Sequence, residues 1–335
     1  MVPSLPSVTL IVATFNEAAF IDDCLVSLEA QDYAGQIAIV IADGGSDDGT
    51  PERIGRWHDR LDLVVIANPH QRQAPGLNRA AAAANGEILI RIDAHTTYAA
   101  DYVSASIRAL REPDVHAAGG ALRPMGKSRF GRAVAAAMRS PLAAGPAKFH
   151  REDAAGDVDT VYLGAFSRDD FTTLAGFRAF PSGAGEDADF YFRMRRRGWR
   201  VYLDPSIRSE YRPRENLGAL WRQHFRYGQA KAELLWANRV FPSLRPLAPA
   251  LLVAALVGGV AMVPTVGWWP LIAIAGTWLA ALLVVGAATP ALLALVVLAT
   301  KAMHLGYGLG LWWGILRGPR RVRRAFAAGE AVREA

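Results

Sequence analysis

The chain has one cysteine, Cys24, in 335 residues. That excludes an intrachain disulfide framework and any zinc site built on paired thiolates. Cys24 shares one helical face with Phe20, Ile21, Leu25 and Leu28 and reads as a core residue. The glycine signatures of the common nucleotide folds are also missing: there is no Gly-x-x-x-x-Gly-Lys phosphate loop and no Gly-x-Gly-x-x-Gly dinucleotide turn. No Ser-His-Asp or Cys-His grouping suggests a covalent nucleophile. No basic strand pattern interleaved with aromatics argues for nucleic acid, so no nucleic-acid partner is expected. The first residues lack a charged leader, an unbroken apolar core and a cleavage site. They read as a strand, and a cytoplasmic start without a signal peptide is expected.

Charge is sparse and unevenly spread. Charged residues make up 20% of the chain and apolar residues 52%. Residues 1–211 carry 23 Lys+Arg against 27 Asp+Glu, and residues 212–335 carry 14 against 4, so the overall +6 arises wholly in the C-terminal third. That third also holds the long apolar runs. Basic residues flanking apolar segments mark a cytoplasmic membrane face, with membrane lipids as partners. The length calls for a catalytic domain plus a further part.

The rest begins with apolar runs of strand type, each closing on polar residues. Val8–Ala13 leads into Thr14-Phe15-Asn16-Glu17, and a helix is expected over residues 17–30 with Asn16 as N-cap. Ile37–Ala42 ends in Asp43-Gly44-Gly45-Ser46-Asp47-Asp48-Gly49-Thr50, whose glycines permit tight turns, before a helix over 51–58. Leu63–Ala67 is a third strand and the alanine-rich 75–84 a helix. The alternation Ile88, Ile90, Ile92 predicts a fourth strand running directly into Asp93-Ala94-His95. Strands alternating with helices predict an α/β fold with a parallel, doubly wound sheet, whose ligands sit beyond the carboxyl ends of the strands. Asp43 is placed there to accept from a nucleobase edge, with Asn78 and Arg79 lining the same cleft. Asp93 and His95 can share a divalent cation at their strand end. Taken alone, that pair reads equally as an ordinary strand exit, and Gly44-Gly45 as a mere turn.

Val12-Ala13-Thr14-Phe15-Asn16-Glu17, the Asp43–Thr50 block and Asp93-Ala94-His95, at this spacing, resemble the family 2 glycosyltransferases of GT-A fold. Within them the chain most resembles the ExoA-type (succinoglycan-type) enzymes of bacterial exopolysaccharide assembly. The resemblance covers about the first 230 residues. It implies a Rossmann-like, mostly parallel sheet with flanking helices. It further implies a nucleotide-sugar donor bound by Thr14, Asn16, Glu17, Asp43, Asn78 and Asp93, and a divalent metal on Asp93 and His95. His95 departs from the commoner Asp-x-Asp; a nitrogen ligand suits Mn²⁺ somewhat better than Mg²⁺. Gly183-Ala184-Gly185-Glu186-Asp187-Ala188-Asp189 reads by itself as a helix start whose carboxylates complement the macrodipole. The resemblance makes this pair the catalytic base, with Asp187 as the base, Glu186 as support and Asp189 behind both. At least two arginines of the Arg193–Arg197 run read as a solvated face. Gln223-His224-Phe225-Arg226-Tyr227 resembles the family's Gln-x-x-Arg-Trp motif with Tyr for Trp, implying that Gln223 and Arg226 meet the donor.

Residues 215–237 alternate apolar and basic positions and are expected to form an amphipathic helix lying on lipid headgroups. Leu247–Val263 and Trp268–Val285 are long enough to cross a bilayer as a hairpin turning at residues 264–267. A third apolar region, 291–316, contains Lys301, His304 and glycines 306, 308, 310 and 314. It reads either as a third span or as a re-entrant segment reversing near Gly306-Tyr307-Gly308. The re-entrant form is expected, because it keeps the basic tail Arg317–Arg324 cytoplasmic.

The expected organisation is therefore a glycosyltransferase domain (1–211), an interfacial helix region (212–245), a membrane domain of two or three apolar segments (246–316) and a basic tail (317–335). The expected activity is inverting transfer of a hexose from a nucleotide-sugar, UDP-glucose favoured, to a polyprenyl-diphosphate-linked saccharide at the cytoplasmic (inner) membrane. The rivals are a polyprenyl-phosphate glycosyltransferase and, outside enzymes, an inactive scaffold or transporter component.

Overall fold

The apolar runs form strands because both of their faces are covered. The computed structural model describes residues 5–240 and 246–333. Contacts divide the chain into two units: Met1–Arg123, Lys148–Ala179 and Glu186–Tyr211 make the first, and Pro124–Ala147, Phe180–Gly185 and Arg212–Ala335 the second. An expected domain running unbroken from 1 to 211 is thus interrupted twice, by segments that pack with the C-terminal helices.

In chain order the elements are β1 (Val8–Thr14), α1 (Ile21–Glu29), β2 (Ile37–Asp43), α2 (Thr50–Gly55), β3 (Leu63–Ala67), α3 (Gln73–Ala82), β4 (Ile88–Asp93), β5 (Thr96–Tyr98), α4 (Tyr102–Leu110), β6 (Val115–Gly120) and the two-residue β7 (Arg123–Pro124). Helices α5 (Arg129–Arg139) and α6 (Pro141–Ala144) follow, then β8 (Gly156–Asp157), β9 (Tyr162–Ser167), α7 (Arg168–Thr173), α8 (Glu186–Arg196), β10 (Arg200–Leu203) and β11 (Ser209–Tyr211). Four long helices close the chain: α9 (Leu217–Asn238), α10 (Leu247–Val266), α11 (Trp269–Ala287) and α12 (Leu293–Arg333).

The main sheet of the first unit runs β3-β2-β1-β4-β9-β6-β10-β8. Strands β1 to β4 are parallel, whereas β9 runs antiparallel to both β4 and β6. Successive β4 side chains enter opposite cores: Ile90 and Ile92 pack with α1 and α4, and Leu89 packs with α3 and α8. Cys24 is a free thiol buried in the former core. From β1 the chain steps outward through β2 and β3, then returns to place β4 on the other side of β1. This reversal makes the carboxyl ends of β1 and β4 the switch point where such sheets open a crevice. Asn16 is not a cap: it lies in the left-handed region at φ 57°, and α1 begins five residues later.

In the second unit, α10, α11 and the region Pro290–Arg324 are each long and apolar enough to cross a membrane. The helix of α10 continues through Pro264 to Val266, and the turn falls at Gly267. The expected reversal near Gly306 is overturned: α12 is one unbroken helix of 41 residues through that point, and the basic segment from Arg317 onward belongs to it rather than to a loose tail. Its glycines serve as close-approach positions instead. A methyl added at Gly310 would stand 2.0 Å from the Phe225 carbonyl oxygen of α9, one at Gly308 would stand 2.3 Å from the Pro249 carbonyl oxygen of α10, and one at Gly314 would stand 2.6 Å from the Ala232 Cβ. Small residues four apart let two helix backbones approach closely, as in packed membrane helices. The expected interfacial helix, α9, accordingly has a protein-facing side, with His224, Gly228, Ala232 and Leu234 buried. Helix α5 joins this unit through Ala133, Val134 and Ala137, which pack with Val296, Ala299 and Met303 of α12.

Candidate active site

Register brings the expected donor residues together. Thr14 pairs with Asp43 and Ala13 with Asp93, so both acidic strand ends flank the end of β1. Asp43 is buried and saturated. Its Oδ1 accepts from Thr14 Oγ1 at 3.0 Å and Ser46 Oγ at 2.7 Å, and its Oδ2 accepts from the Gly45 and Ser46 amides at 2.9 Å each. A carboxylate offers about four acceptor sites, and these four bonds use them. Asp43 therefore first shapes its own glycine loop, in which Gly45 (φ 76°) and Gly49 (φ 92°) adopt left-handed backbone.

That loop is stitched to the one after β1. Asn16 Nδ2 donates to Asp47 at 3.0 Å while the Asp47 amide returns a bond to Asn16 Oδ1 at 3.0 Å. The Glu17 amide donates to Thr50 Oγ1 at 2.9 Å, and the Ala18 amide donates to Asp48 at 3.0 Å. Thr14, Asn16, Glu17 and Asp43 thus form one rigid wall. Asn78 spends its side chain on a backbone turn of the same unit. Its amide donates to the Phe177 carbonyl at 2.7 Å and accepts from the Phe177 amide at 2.8 Å, pinning the Gly176-Phe177 turn. Arg79 likewise donates to the Ala67 carbonyl at 2.7 Å.

At the end of β4, Asp93 Oδ1 accepts from Gln73 Nε2 at 2.9 Å and lies 3.4 Å from Arg91 Nε. Among the described residues its Oδ2 accepts nothing. His95 Nδ1 stands 3.2 Å from Glu17 Oε1, and its ring meets Tyr211 edge-on at 5.5 Å. Its Nε2 has no partner among the described residues. No group of three His, Cys, Asp or Glu side chains converges there among the described residues. One carboxylate oxygen and one imidazole nitrogen suit a divalent cation that takes its remaining ligands from water and substrate phosphates.

Arg91 and Gln73 are residues the sequence reading passed over. Arg91 is buried in mid-strand and reaches Glu186 Oε1 through Nη1 at 3.1 Å. Burial works against its charge, but Asp93 and Glu186 outweigh that and hold it firmly protonated. Glu186 is itself buried; burial pushes its carboxyl up to about 7, with Arg91 opposing and Asp187 adding to the rise. Asp187, half-exposed, accepts from the Ala188 amide at 2.7 Å. Asp189 is fully buried against Arg193 at 2.7 Å and Arg178 at 3.5 Å, a structural pairing. Arg193 also caps the Gly176 carbonyl at 2.6 Å, while Arg195, Arg196 and Arg197 are exposed.

In the second unit, Gln223 Nε2 donates to the Tyr227 hydroxyl at 3.0 Å and Arg226 is exposed on α9. Arg226 lines a shallow pocket with Trp221, Arg222, Phe225 and Gln229. Ahead of α8, Ser182 donates from its amide and hydroxyl to buried Glu233 of α9, at 3.1 and 2.6 Å.

Comparison with known proteins agrees with this fold. The family model described as Glycosyl transferase family 2 matches residues 9–171. The succinoglycan biosynthesis protein ExoA of Rhizobium meliloti (strain 1021) is 32% identical over 93% of this chain and 96% of its own length. An N-acetylglucosaminyltransferase of Rhizobium leguminosarum bv. viciae is 27% identical over 81% of this chain and 69% of its own. Among solved structures, the mannosyltransferase PcManGT from Pyrobaculum calidifontis, in complex with GDP-Man and Mn²⁺, aligns with a TM-score of 0.58 at 25% identity, covering 94% of this chain and 90% of that one.

Proposed function

The chain belongs to glycosyl transferase family 2, and we propose that it is a membrane-anchored inverting hexosyltransferase. Its donor is a nucleotide-sugar, UDP-glucose favoured, and its acceptor is a polyprenyl-diphosphate-linked saccharide in exopolysaccharide or cell-envelope glycan assembly. The observation that carries this reading is the wall of Thr14, Asn16, Glu17 and Asp43 beside Asp93, in the same unit as the Glu186-Asp187 pair. The relatives' names support the glycan context, and three apolar helices support anchoring, here assigned to the cytoplasmic (inner) membrane with the catalytic unit in the cytoplasm.

In this mechanism the β1 and β2 loops hold the nucleotide, and Asp43 acts through the loop it shapes. Asp93 and His95 would hold a divalent cation, Mn²⁺ or Mg²⁺, which would supply positive charge to the leaving diphosphate. By the family motif alone, Gln223 and Arg226 of the second unit are proposed to bind donor, and a planar guanidinium suits a diphosphate. Asp187 takes the proton from the acceptor hydroxyl as that oxygen attacks the anomeric carbon, and the bond to the diphosphate breaks on the opposite face. Glu186 supports Asp187.

The second reading is a polyprenyl-phosphate glycosyltransferase, whose acceptor is the lipid phosphate itself. Purified protein with a panel of nucleotide-sugars and lipid extract, with and without Mn²⁺ or Mg²⁺, tests the proposal. Labelled lipid product from a UDP-hexose is expected, and its stability to mild acid separates the two acceptors. No transfer from any donor would leave a non-catalytic scaffold.

A further inference from the structure

Strand β4 carries an arginine where its neighbours carry core. Leu89, two residues earlier on the same face, is fully buried, and so are Ile90 and Ile92 on the other. Arg91 is 6% exposed at a position that a central strand of a covered sheet normally fills with an aliphatic residue. Its guanidinium carbon stands 6.0 Å from the Phe177 ring centroid, and its nitrogens face two carboxylates, Asp93 at 3.4 Å and Glu186 at 3.1 Å. Replacing such a buried ionic group with apolar residues is often neutral or stabilising, so stability alone does not account for it. Its two partners do. Asp93 closes the strand at the proposed donor end, and Glu186 immediately precedes the proposed base.

We propose that Arg91 is a positioning residue that links donor occupancy to the base: one guanidinium, shared between Asp93 and Glu186, sets the first turn of α8 and with it the Asp187 side chain. The proposal rests on the donor-site reading given above. With Asp93 unliganded, Arg91 divides its attraction between two acids. Positive charge delivered at Asp93 weakens that half of the pairing, and the guanidinium then serves Glu186 more fully. The first turn of α8 becomes tighter when the donor side is filled, so the base is ordered once nucleotide and cation are in place. A fork of donors bridges two carboxylates in a way that a point charge does not.

The test uses the full-length protein in detergent, with Mn²⁺ and UDP (or GDP) as the probe. Nucleotide affinity is read by calorimetry and the exchange of amides 187–190 by hydrogen–deuterium mass spectrometry. In the unmodified protein the probe is expected to slow that exchange at least ~5-fold. In Arg91→Met the slowing should vanish while nucleotide affinity stays within ~5-fold. Arg91→Met/Glu186→Gln guards against misfolding, because it removes a buried charge from each side of the pair. It should restore thermal stability but not the exchange response, and turnover should stay low. Slowing that persists without Arg91, or turnover recovering together with stability, would overturn the proposal by making Arg91 a packing element. Nucleotide that binds without changing the exchange of the unmodified protein overturns it too, leaving the donor reading intact. Failure of any nucleotide to bind overturns both.

Discussion

Glycine does opposite work in the two units. In the first, Gly45 and Gly49 turn the chain: both have positive φ, and nothing lies within 4 Å of the Cβ that Gly45 lacks. In the second, Gly306, Gly310 and Gly314 sit within one continuous helix, and the space for a Cβ is already filled by α9. One use relieves backbone sterics at a site loop, and the other removes a side chain so that two helices meet. The first unit accordingly concentrates the chemistry and the second the packing and the apolar surface, and each half of that contrast makes predictions.

The largest effect belongs to the proposed cation site. Excess EDTA should abolish transfer and Mn²⁺ restore it, assayed with purified protein; undiminished turnover in EDTA removes Asp93 and His95 from that role. Next is Asp187→Asn, which keeps shape but cannot accept a proton. Turnover should fall at least ~100-fold with donor affinity little changed. Near-normal turnover would transfer the role of base to another group.

The glycine contrast is tested by sign. Gly310→Ala should destabilise the protein by about 1–3 kcal/mol, because the added methyl meets backbone that cannot yield. Gly276→Ala on α11, with nothing within 4 Å of the new methyl, should be neutral or stabilising by up to ~1 kcal/mol. Thermal denaturation of both in one detergent checks this, and equal effects would refute close packing at Gly310. At Gly45 the limit is backbone geometry, so Gly45→Ala should cost about 1–2 kcal/mol. Gly45→Asn should cost less, because asparagine visits the left-handed region more readily, whereas Gly310→Asn should be worse than Gly310→Ala.

A separate effect is a pH dependence. Glu186 has its folded pKa raised from the ordinary 4.5 to about 7, so the folded state binds the extra proton between those values. Stability from this group therefore falls as pH rises through that window and levels off above it. Melting temperature against pH should show the decline in the unmodified protein and a flatter curve in Glu186→Gln.

Much of the first unit was legible because its signals are local. The runs at Val8, Ile37, Leu63 and Ile88 form strands within a residue or two of their expected bounds, since apolar runs bounded by turn residues need no distant information. Asp43 and Asp93 could be placed at strand ends by the same means. The bonding of Asn78 was not legible, because an exposed-looking helical amide gives no sign of its partner, a backbone turn 99 residues away.

By itself, then, the sequence determined the strand–helix alternation, the polar strand ends, the acidic pair opening α8 and the apolar helices, all written within spans of a few turns. Tertiary structure alone decided that β9 runs antiparallel and that Asp43 is spent on its own loop. It also decided that Arg91 joins two carboxylates 93 positions apart in the chain. The path of α12 was decided in the same way. Glycines that locally permit a reversal continue the helix when α9 and α10 occupy the space beside them, because the gain from close helix contact exists only once the partner is there.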